Sequence, residues 1–563
     1  MPVGDLSTRA AIEVDGNPLS DQITPDIERV VIDDHLHLLD TFEITVRDAD
    51  RTVLGRAGFA IGAQVKIAAT AQGSPAPTPL MSGEITSLEA VYDQSASKVV
   101  VRGYDKAHRL TRGRRTETYR NVKYSDIATT VAGRSSLATG TIDDSRAVFD
   151  HVAQANESDL DFLRRLASEI GFEVAVVDGK LDFRQPTPAS SAPAGGSYSS
   201  SDPLQLVLGQ NLLEFRPRIT SAGQVADVKV RGWDVANKQA LVGSAPGGTT
   251  SASLPDSPAA LAAKFGNPSH VVVGRAFGSR AEVDDAAKAF AEAIGSTFAE
   301  ATGVARGNPD LRAGAAVSIS VVADPFAGRY TLTHTRHVFD DEVGYRTQFV
   351  VSGRQDRTLL GLTSVGGGSA GSTIPGVVVG IVTDATDPDH LGRVKLKFPW
   401  LDDDFEASWA RVGMPGAGKD RGLVWLPEVN DEVLVAFEHG DIRRPYVVGG
   451  LWNGVDTVPD LPVHDGERKA RALVSKLGSK VVFEDEDGKA GILIVTAGGQ
   501  YEIHLDEGGS QVSIKAAGGK VHIEAQQDIE LQATGKVTVE GQQGLELKST
   551  GIVKVQGAQV QLG

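Results

Sequence analysis

The sequence predicts a mainly β protein with some α-helix, and three observations support this fold class. Apolar residues alternate with period two in many short stretches, for example at Phe42, Ile44 and Val46. The 63 glycines and 25 prolines are typical of a chain with many turns between short strands. The C-terminal segment carries an aliphatic repeat of eight residues. We therefore expect β-barrel domains with helical insertions, then a small barrel, then a β-helix.

In each eight-residue repeat, or octad, an aliphatic residue is followed two positions later by a second one, so both side chains point inward from one short strand. Gly535, Gly544, Gly551 and Gly557 mark the corners between strands. The predicted inward residues, called the octad core below, are Val521, Ile523, Ile529, Leu531, Val537, Val539, Leu545, Leu547, Val553 and Val555.

Weaker copies flank these octads. Two precede them, at Tyr501, Ile503 and Leu505 and at Val512 and Ile514. A last copy, out of phase by one residue, predicts a tip formed by Val560, Leu562 and Gly563. The segment therefore predicts roughly eight strands of a β-solenoid.

One octad supplies one wall of a prism, so three walls come either from three octads of one chain or from one octad of each of three chains. A single-chain coil uses about 24 residues and gives fewer than three coils, which is marginal for a stacked core. Three intertwined chains avoid this problem and advance about 4.8 Å per octad, giving a needle about 40 Å long. We expect an intertwined trimeric β-helix, the spike or needle, over residues 477–563.

The composition excludes several classes of function. A net charge of −17 opposes binding to nucleic-acid phosphates and anionic lipids, so nucleic acid is not an expected partner. The absence of cysteine excludes disulfides and thiolate metal sites. Neither a signal peptide nor a run of 18 apolar residues is recognisable in the sequence, which predicts cytoplasmic synthesis and assembly.

Patterning divides the chain into five parts: residues 1–365 with two β-barrel-type domains and helical insertions, a linker at 366–373, a barrel of the OB kind at 374–458, a connector at 459–476, and the needle. The predicted barrel strands are Val377–Val382, Val394–Phe398, Ser408–Val412, Gly422–Trp425, Glu432–Phe437 and Tyr446–Leu451.

Two helices are predicted in the first part. One is capped by Ser158, with Asp161 at the capping-box position, and closed by Gly171. The other starts at Ser279 with Glu282 three residues later. Its predicted apolar face contains Val283, Ala287, Phe290, Ile294 and Phe298.

Several longer motifs, in order, resemble one family. They are NESDLDFLRRLASEIG at 156–171, GNPDLRAGAAVSI at 307–319, DPDHLGRVKLKFPW at 387–400 and WLPEVNDEVLVAFEHGDIRRPYVVGGLWNG at 425–454, followed by the octads. The chain resembles the VgrG spike proteins of contractile injection systems and the hub and spike proteins of phage baseplates, including the late control D type. The family often has glycine where Asn430 stands, and asparagine also tolerates a left-handed backbone.

The resemblance implies a homotrimer whose hub caps an inner tube, followed by OB barrels and the needle. The implied partners are inner-tube and hub adaptor proteins, other baseplate proteins, a PAAR-type tip protein and effectors. The implied role is structural and non-enzymatic, with no cofactor and with puncture of an envelope by the tip. About 25 residues separate Trp452 from the solenoid-like sequence, which leaves no room for a lysozyme domain. The short length and bare needle favour an extracellular phage-tail-like particle over a type VI apparatus.

Several residues whose types suggest a metal site or a catalytic site have simpler interpretations. His35 and His37 have a spacing that suits zinc, but no local third ligand follows, and we assign no metal, cofactor or catalytic residue. The acidic runs 402–404 and 484–487 are adjacent residues, which do not face one another across a sugar, and we expect charged turns. His504 and His522 are expected to point outward.

Two alternatives stay open. Arg443 and Arg444 bind carboxylates of a neighbouring subunit or lie in a solvated turn, with equal support. For the whole chain, the alternative to a spike is a β-helix protein that degrades polysaccharide or binds glycan.

Overall fold

A computed structural model describes residues 10–70, 77–93, 97–196, 202–355, 374–460, 463–464 and 466–561. The chain divides into two compact units, Met1–Leu451 and Trp452–Gly563. The mainly β fold class is confirmed, because strands far outnumber the five α-helices among the described residues. The predicted linker at 366–373 lies outside the described residues. No helix in the described part of the chain has the length and apolar character needed to cross a bilayer.

The strands of residues 10–355 are β1 Ala11–Val14, β2 Asn17–Pro18, β3 Ile27–His35, β4 Thr41–Arg47, β5 Gln64–Thr70, β6 Pro77–Tyr92, β7 Ser97–Asp105, β8 Arg115–Val122, β9 Ala138–Ile142, β10 Phe149–Glu157, β11 Glu173–Val177, β12 Lys180–Arg184, β13 Gln205–Val207, β14 Leu212–Ile219, β15 Asp227–Asp234, β16 Gln239–Pro246, β17 Ala252–Ser253, β18 Ser269–Val272, β19 Ala299–Arg306, β20 Ala316–Ser320, β21 Gly328–Thr331, β22 His334–Asp340 and β23 Gly344–Val351. The helices are α1 Val53–Ala57, α2 Tyr124–Arg134, α3 Asp159–Ile170, α4 Pro258–Ala263 and α5 Arg280–Gly295.

An eleven-stranded sheet runs through this region in the order β14-β19-β23-β22-β3-β4-β7-β6-β5-β1-β2. The antiparallel pairing of β22 with β3 joins the beginning of the region to its end, so one sheet spans what the sequence divides into two domains. The alternating residues Phe42, Ile44 and Val46 are buried in its core, as predicted. Gly103 is needed beside them, because a Cβ there would lie 2.4 Å from the Phe42 ring.

Both predicted helices form, with one difference in capping. The Ser158 hydroxyl accepts from the Asp161 backbone N–H at the start of α3, and Gly171 ends the helix at φ 74°. The Asp161 carboxylate accepts from the Ser158 hydroxyl at 2.7 Å instead of completing the predicted reciprocal box. At α5, Ser279 and Glu282 form the full capping box. Val283 and Ala287 of α5 are buried against β15 and β16.

Strands β24 Val377–Asp384, β25 Arg393–Lys397, β26 Ala410–Val412, β29 Glu432–Phe437 and β30 Pro445–Gly450 form a closed barrel in the order β24-β25-β26-β30-β29. The predicted strand Gly422–Trp425 is wrong. Instead β27 Ala417–Gly418 pairs with β28 Arg421–Gly422 in a separate hairpin, and Trp425 lies in the following loop. Asn430 adopts φ 76°, which confirms the left-handed turn expected there.

The loop between β24 and β25 is organised by one carboxylate. Asp387 Oδ2 accepts the backbone N–H groups of Leu391 at 2.8 Å and Arg393 at 3.2 Å. The Arg393 guanidinium donates Nη2–H to Asp387 Oδ1 at 2.6 Å and Nε–H to Oδ2 at 3.1 Å. These bonds, above all those from Arg393, hold the pKa of Asp387 far below its usual range.

We predict that Asp387→Ala lowers the free energy of unfolding of the barrel by about 3 kcal/mol, because Arg393 loses a buried partner and three backbone donors lose their acceptor. The lowered pKa means that Asp387 stabilises the fold above its unfolded pKa of about 3.9 and loses this effect as the pH falls through lower values. Thermal unfolding at pH 7 and pH 3 checks both points. The loss should be large at pH 7 and smaller at pH 3. A loss that is equal at both values contradicts the assignment.

The second unit contains β31 Val463–His464, β32 Glu467–Arg468, β33 Ala470–Val474, β34 Lys480–Glu484, β35 Gly491–Val495, β36 Tyr501–Asp506 and β37 Gln511–Ala516. Strands β33 to β37 form a five-stranded antiparallel meander within one chain. The two weaker repeats therefore form a hairpin, β36 and β37, and do not continue the octad winding. The physical reason is the turns, which contain residues with positive φ at Gly478, Gly488, Gly499 and Ser510 and so reverse the chain.

Residues 517–561 differ from the meander. In this described segment no strand pairs within the chain, and Gly544 is the one residue with positive φ. Bends recur with the octad period, at 526–527, 534–535, 542–543, 550–551 and 558. Gly535 and Gly551 lie in these bends, and Gly544 and Gly557 are adjacent to them. The backbone thus has the corner spacing that the octads predict. The tip residues Leu562 and Gly563 lie outside the described residues.

Candidate functional site

The octad core is exposed in a single chain. Relative exposures range from 53% at Val553 to 78% at Leu531. Between the two aliphatics of each octad lies a polar residue, and these residues are His522, Glu530, Thr538, Glu546 and Lys554. The alternation gives each octad one apolar and one polar side, and the apolar side is left open to solvent in the single chain.

The meander has a second exposed apolar surface. Cross-strand register places one aliphatic residue of each strand opposite the next, in the row Leu473, Val481, Ile494, Ile503 and Ile514. Leu473, Ile494, Ile503 and Ile514 are 48%, 45%, 42% and 61% exposed. Directly opposite residues share a face of a sheet, so this row forms a continuous apolar stripe. Both parts of the second unit therefore present aliphatic surface.

In the first unit, the barrel is attached to the hub, which is residues 10–355, by buried charges. The Arg443 guanidinium donates to Glu169 of α3 in bidentate fashion, with both distances 3.2 Å. It also donates Nη2–H to Asp441 Oδ2 at 2.9 Å. Burial raises the pKa of Asp441, but the charge of Arg443 outweighs burial and holds that pKa below its usual value. Arg443 is 21% exposed, which argues against the solvated turn, one of the two alternatives left open by the sequence.

Arg444 makes a second, more exposed contact with the hub. Its Nη2 lies 3.3 Å from Glu282 Oε2, the carboxylate that also caps α5. The carboxylates that Arg443 and Arg444 contact therefore belong to the same chain, which is neither of the two alternatives left open by the sequence. Both arginines of the sequence GDIRRP bind carboxylates. Their partners, however, lie 274 and 162 residues away along the chain.

Apolar contacts and Glu406 complete the junction. Ala153 and Ala155 of β10 belong to the same buried cluster as Val394 and Phe405 of the barrel. The Glu406 carbonyl accepts from His151 Nε2 at 3.0 Å, while its carboxylate pairs with Arg120 of β8. Burial lowers the pKa of His151, so its ring stays neutral at physiological pH.

The loop after β28 is the most apolar exposed segment of the barrel. Leu423, Val424, Trp425 and Leu426 are 40%, 82%, 47% and 41% exposed. An exposed run of this kind indicates contact with another protein surface.

Two ranges of the chain match known protein families. Residues 378–452 match the type VI secretion system/phage-baseplate injector OB domain. Residues 5–341, more than half of the chain, match the Alg8 N-terminal domain family.

The chain belongs to the Alg8 N-terminal domain family, and through its injector OB domain it is similar to the VgrG spike proteins.

Similarity to individual VgrG proteins is confined to a short segment. The chain is 33% identical over 114 residues to the type VI secretion system spike protein VgrG1c of Pseudomonas aeruginosa, covering 19% of this chain and 16% of that protein. It is 32% identical over 111 residues to the type VI secretion system spike protein VgrG3 of Vibrio cholerae, covering 18% and 11%. The chain thus matches less than a fifth of the length of these relatives.

Solved structures show a similarity in fold over a much larger part of the chain. The lidded Francisella PdpA-VgrG complex contains a chain with a TM-score of 0.52 and 9% identity, and the match covers 91% of this VgrG-like chain and 80% of that one. The half-lidded complex gives a TM-score of 0.51 with 8% identity and coverages of 91% and 88%. At such low identity the likeness concerns the fold.

The histidines singled out in the sequence contact neighbouring side chains of the fold. His35 lies 5.0 Å from His334 between ring centroids and 5.7 Å from His37. His334 pairs with Asp33 at 3.0 Å. Among the described residues, no group of three or more His, Asp or Glu side chains is arranged to hold a metal ion. His504 pairs with Glu484 at 2.9 Å and His522 with Glu524 at 3.1 Å.

The acidic runs lie in turns, as expected. Asp402 accepts from the Asp404 N–H at 2.9 Å in the loop after β25. Asp487 and Gly488 form the tip of the hairpin between β34 and β35, where Gly488 has φ 73°.

We predict that Arg443→Ala destabilises the junction of hub and barrel by about 3 kcal/mol, because Asp441 loses its partner in a buried setting. Arg444→Ala is the matched control, with an expected loss of about 1 kcal/mol or less, since its ion pair is more exposed. Thermal unfolding of the full-length chain, with limited proteolysis around residues 374–376, measures both variants. Equal losses for both arginines contradict the buried-pair account.

Proposed function

We propose that the chain is a structural, non-enzymatic spike of a type VI or phage-like contractile injection system and that it acts as a homotrimer. The observation that carries the proposal is the exposure of the octad core in a single chain. The similarity to VgrG spike proteins and the injector OB domain support the same role.

The energetic argument for a trimer starts from the exposed aliphatics. Complete burial of one such side chain contributes about 1.5–3 kcal/mol. Ten octad core residues that are more than half exposed therefore leave on the order of 10 kcal/mol per chain to be gained on association. Three chains wound about a threefold axis bury the apolar side of every octad and leave the polar side outside.

The same winding accounts for mechanical strength. In residues 517–561 the described backbone has no strand partner within its chain, so most of its N–H and C=O groups, apart from a few at the bends and at Ala517, are available to neighbouring chains. Pairing around a closed prism leaves no lateral sheet edge. A narrow closed prism of this kind transmits an axial force to its tip, which suits penetration of an envelope.

We propose partners from the same reasoning. The final layer of any such prism presents unpaired strand groups, which favours a PAAR-type cap. The hub is proposed to contact inner-tube and baseplate proteins, and the spike to carry effectors. The Francisella relative is described in complex with PdpA, which supports a second protein bound to the VgrG-like chain.

The assignment to an extracellular phage-tail-like particle remains a proposal. Immunogold electron microscopy of culture supernatant and of cells tests it. Label at the end of free contractile particles is the expected result. Label confined to structures anchored in cells assigns the spike to a type VI apparatus.

We predict that Val537→Asp abolishes the SDS-resistant trimer, because three carboxylates would be placed near one axis at a cost of several kcal/mol. Thr538→Asp is the matched control, since the neighbouring side chain points to the polar side and should leave the trimer intact. Unheated SDS gels and native mass spectrometry report the outcome. Equal behaviour of the two variants would mean that the octad register is wrong.

A further inference from the structure

A cavity of about 410 Å³ lies inside the hub, where β3, β7, α3, β11 and β12 meet the segment 312–316. Part of its wall is aliphatic, formed by residues such as Leu38, Leu160 and Val174. The rest carries charged groups, which lie mainly at one end of β3, β7 and β12. Neither the spike role nor the barrel junction uses this cavity.

Two of the carboxylates that line the cavity are paired with arginines. Asp34 Oδ2 accepts from Arg312 Nε at 2.6 Å and from the Ala313 N–H at 3.2 Å. Asp182 pairs with Arg184 at 3.2 Å and accepts from the Thr141 N–H at 2.7 Å. In each pair, the positive charge of the arginine compensates the negative charge of the aspartate inside the protein.

The other two aspartates that line the cavity, Asp40 and Asp105, have different surroundings from Asp34 and Asp182. Asp40 accepts a backbone N–H from His35 at 2.9 Å. Asp105 is 5% exposed, and its Oδ1 is buried with no hydrogen-bond partner among the described residues. Burial raises the pKa of Asp105 to about 8, and burial together with Asp34 and Asp105 raises that of Asp40 well above its usual range. Arg164, which also lines the cavity, acts in the opposite direction on Asp105.

We propose that this cavity binds a small organic cation with a guanidinium or alkylammonium head, which sits against Asp105 and Asp40 while its alkyl chain lies on Leu38, Leu160 and Val174. The positive charge of the head compensates the charge that Asp105 and Asp40 carry when they are ionised, in a place where an unpaired buried charge is costly. A volume of 410 Å³ is far larger than one ion and falls in the range of small-molecule sites. The aliphatic walls match an alkyl chain.

The first test uses the full-length wild-type protein and two probes of similar size and opposite charge. Isothermal titration at pH 8.5 compares n-butylguanidinium with pentanoate. Saturable binding of n-butylguanidinium, with no binding of pentanoate, is the expected result. Equal binding of both probes, or no binding of n-butylguanidinium up to tens of millimolar, overturns the proposal.

The second test assigns binding to the cavity. Asp105→Asn keeps the shape of the side chain and removes its charge, and should weaken binding of n-butylguanidinium at least tenfold. Asp50→Asn, at an exposed hub position, is the matched control and should leave the affinity unchanged. An unchanged affinity in Asp105→Asn overturns the proposal.

A pH titration of the wild-type protein needs no variant and guards against misfolding of Asp105→Asn. The guanidinium keeps its charge over this range, whereas Asp105 releases its proton near pH 8. Affinity should therefore rise severalfold from pH 7 to pH 9, and a flat profile contradicts the site. A blocked Gly-Arg-Gly peptide distinguishes the source of the cation. Binding of the free probe alone assigns a free small molecule, and binding of both assigns an arginine side chain of a peptide to the same site.

Discussion

The octad core requires a partner that one chain does not provide. Each octad of residues 517–561 has aliphatic side chains on one side, polar ones on the other, and a bend at each corner, but among these described residues no strand pairs within the chain. The proposed winding of identical chains would bury the apolar side chains and pair the backbone groups. The similarity to VgrG spike proteins, the meander stripe and the spike role are all consistent with this one constraint.

The meander presents a second exposed apolar surface beside the octads. It is held by antiparallel pairing within one chain, so it folds locally, yet its row of Leu473, Ile494, Ile503 and Ile514 stays exposed. In the proposed trimer, this apolar face would be a further surface on which three chains can associate. In the first unit, by contrast, cores are closed within the chain and charges are paired across the junction of hub and barrel.

The sequence allowed much of this to be predicted where the signal is local. Ser158, Gly171, Ser279 and Glu282 cap their helices because caps depend on a few neighbouring residues. The octad period could be detected because it repeats. The loop containing Trp425 was predicted as a strand because its apolar residues resemble a buried strand, whereas they are exposed in the structure.

Features that depend on distant residues could not be predicted. Arg443 and Arg444 find partners in α3 and α5, which no local pattern encodes. The β22–β3 pairing that joins the ends of the hub, and the cavity at Asp105, arise from the same long-range packing. The start of intertwining was expected at residue 477, whereas the hairpin turns at Gly478, Gly488 and Gly499 keep β33 to β37 in one chain. Whether the needle domain begins at 477 in the assembled protein stays a prediction.

The most direct measurement is the mass of the purified full-length chain in solution by multi-angle light scattering, beside a chain ending at Ala516. The account predicts three times 59.2 kDa for the full chain and a weakened or lost trimer after truncation. A full-length chain that remains at 59.2 kDa over the accessible concentrations would contradict the account and favour a single-chain β-helix.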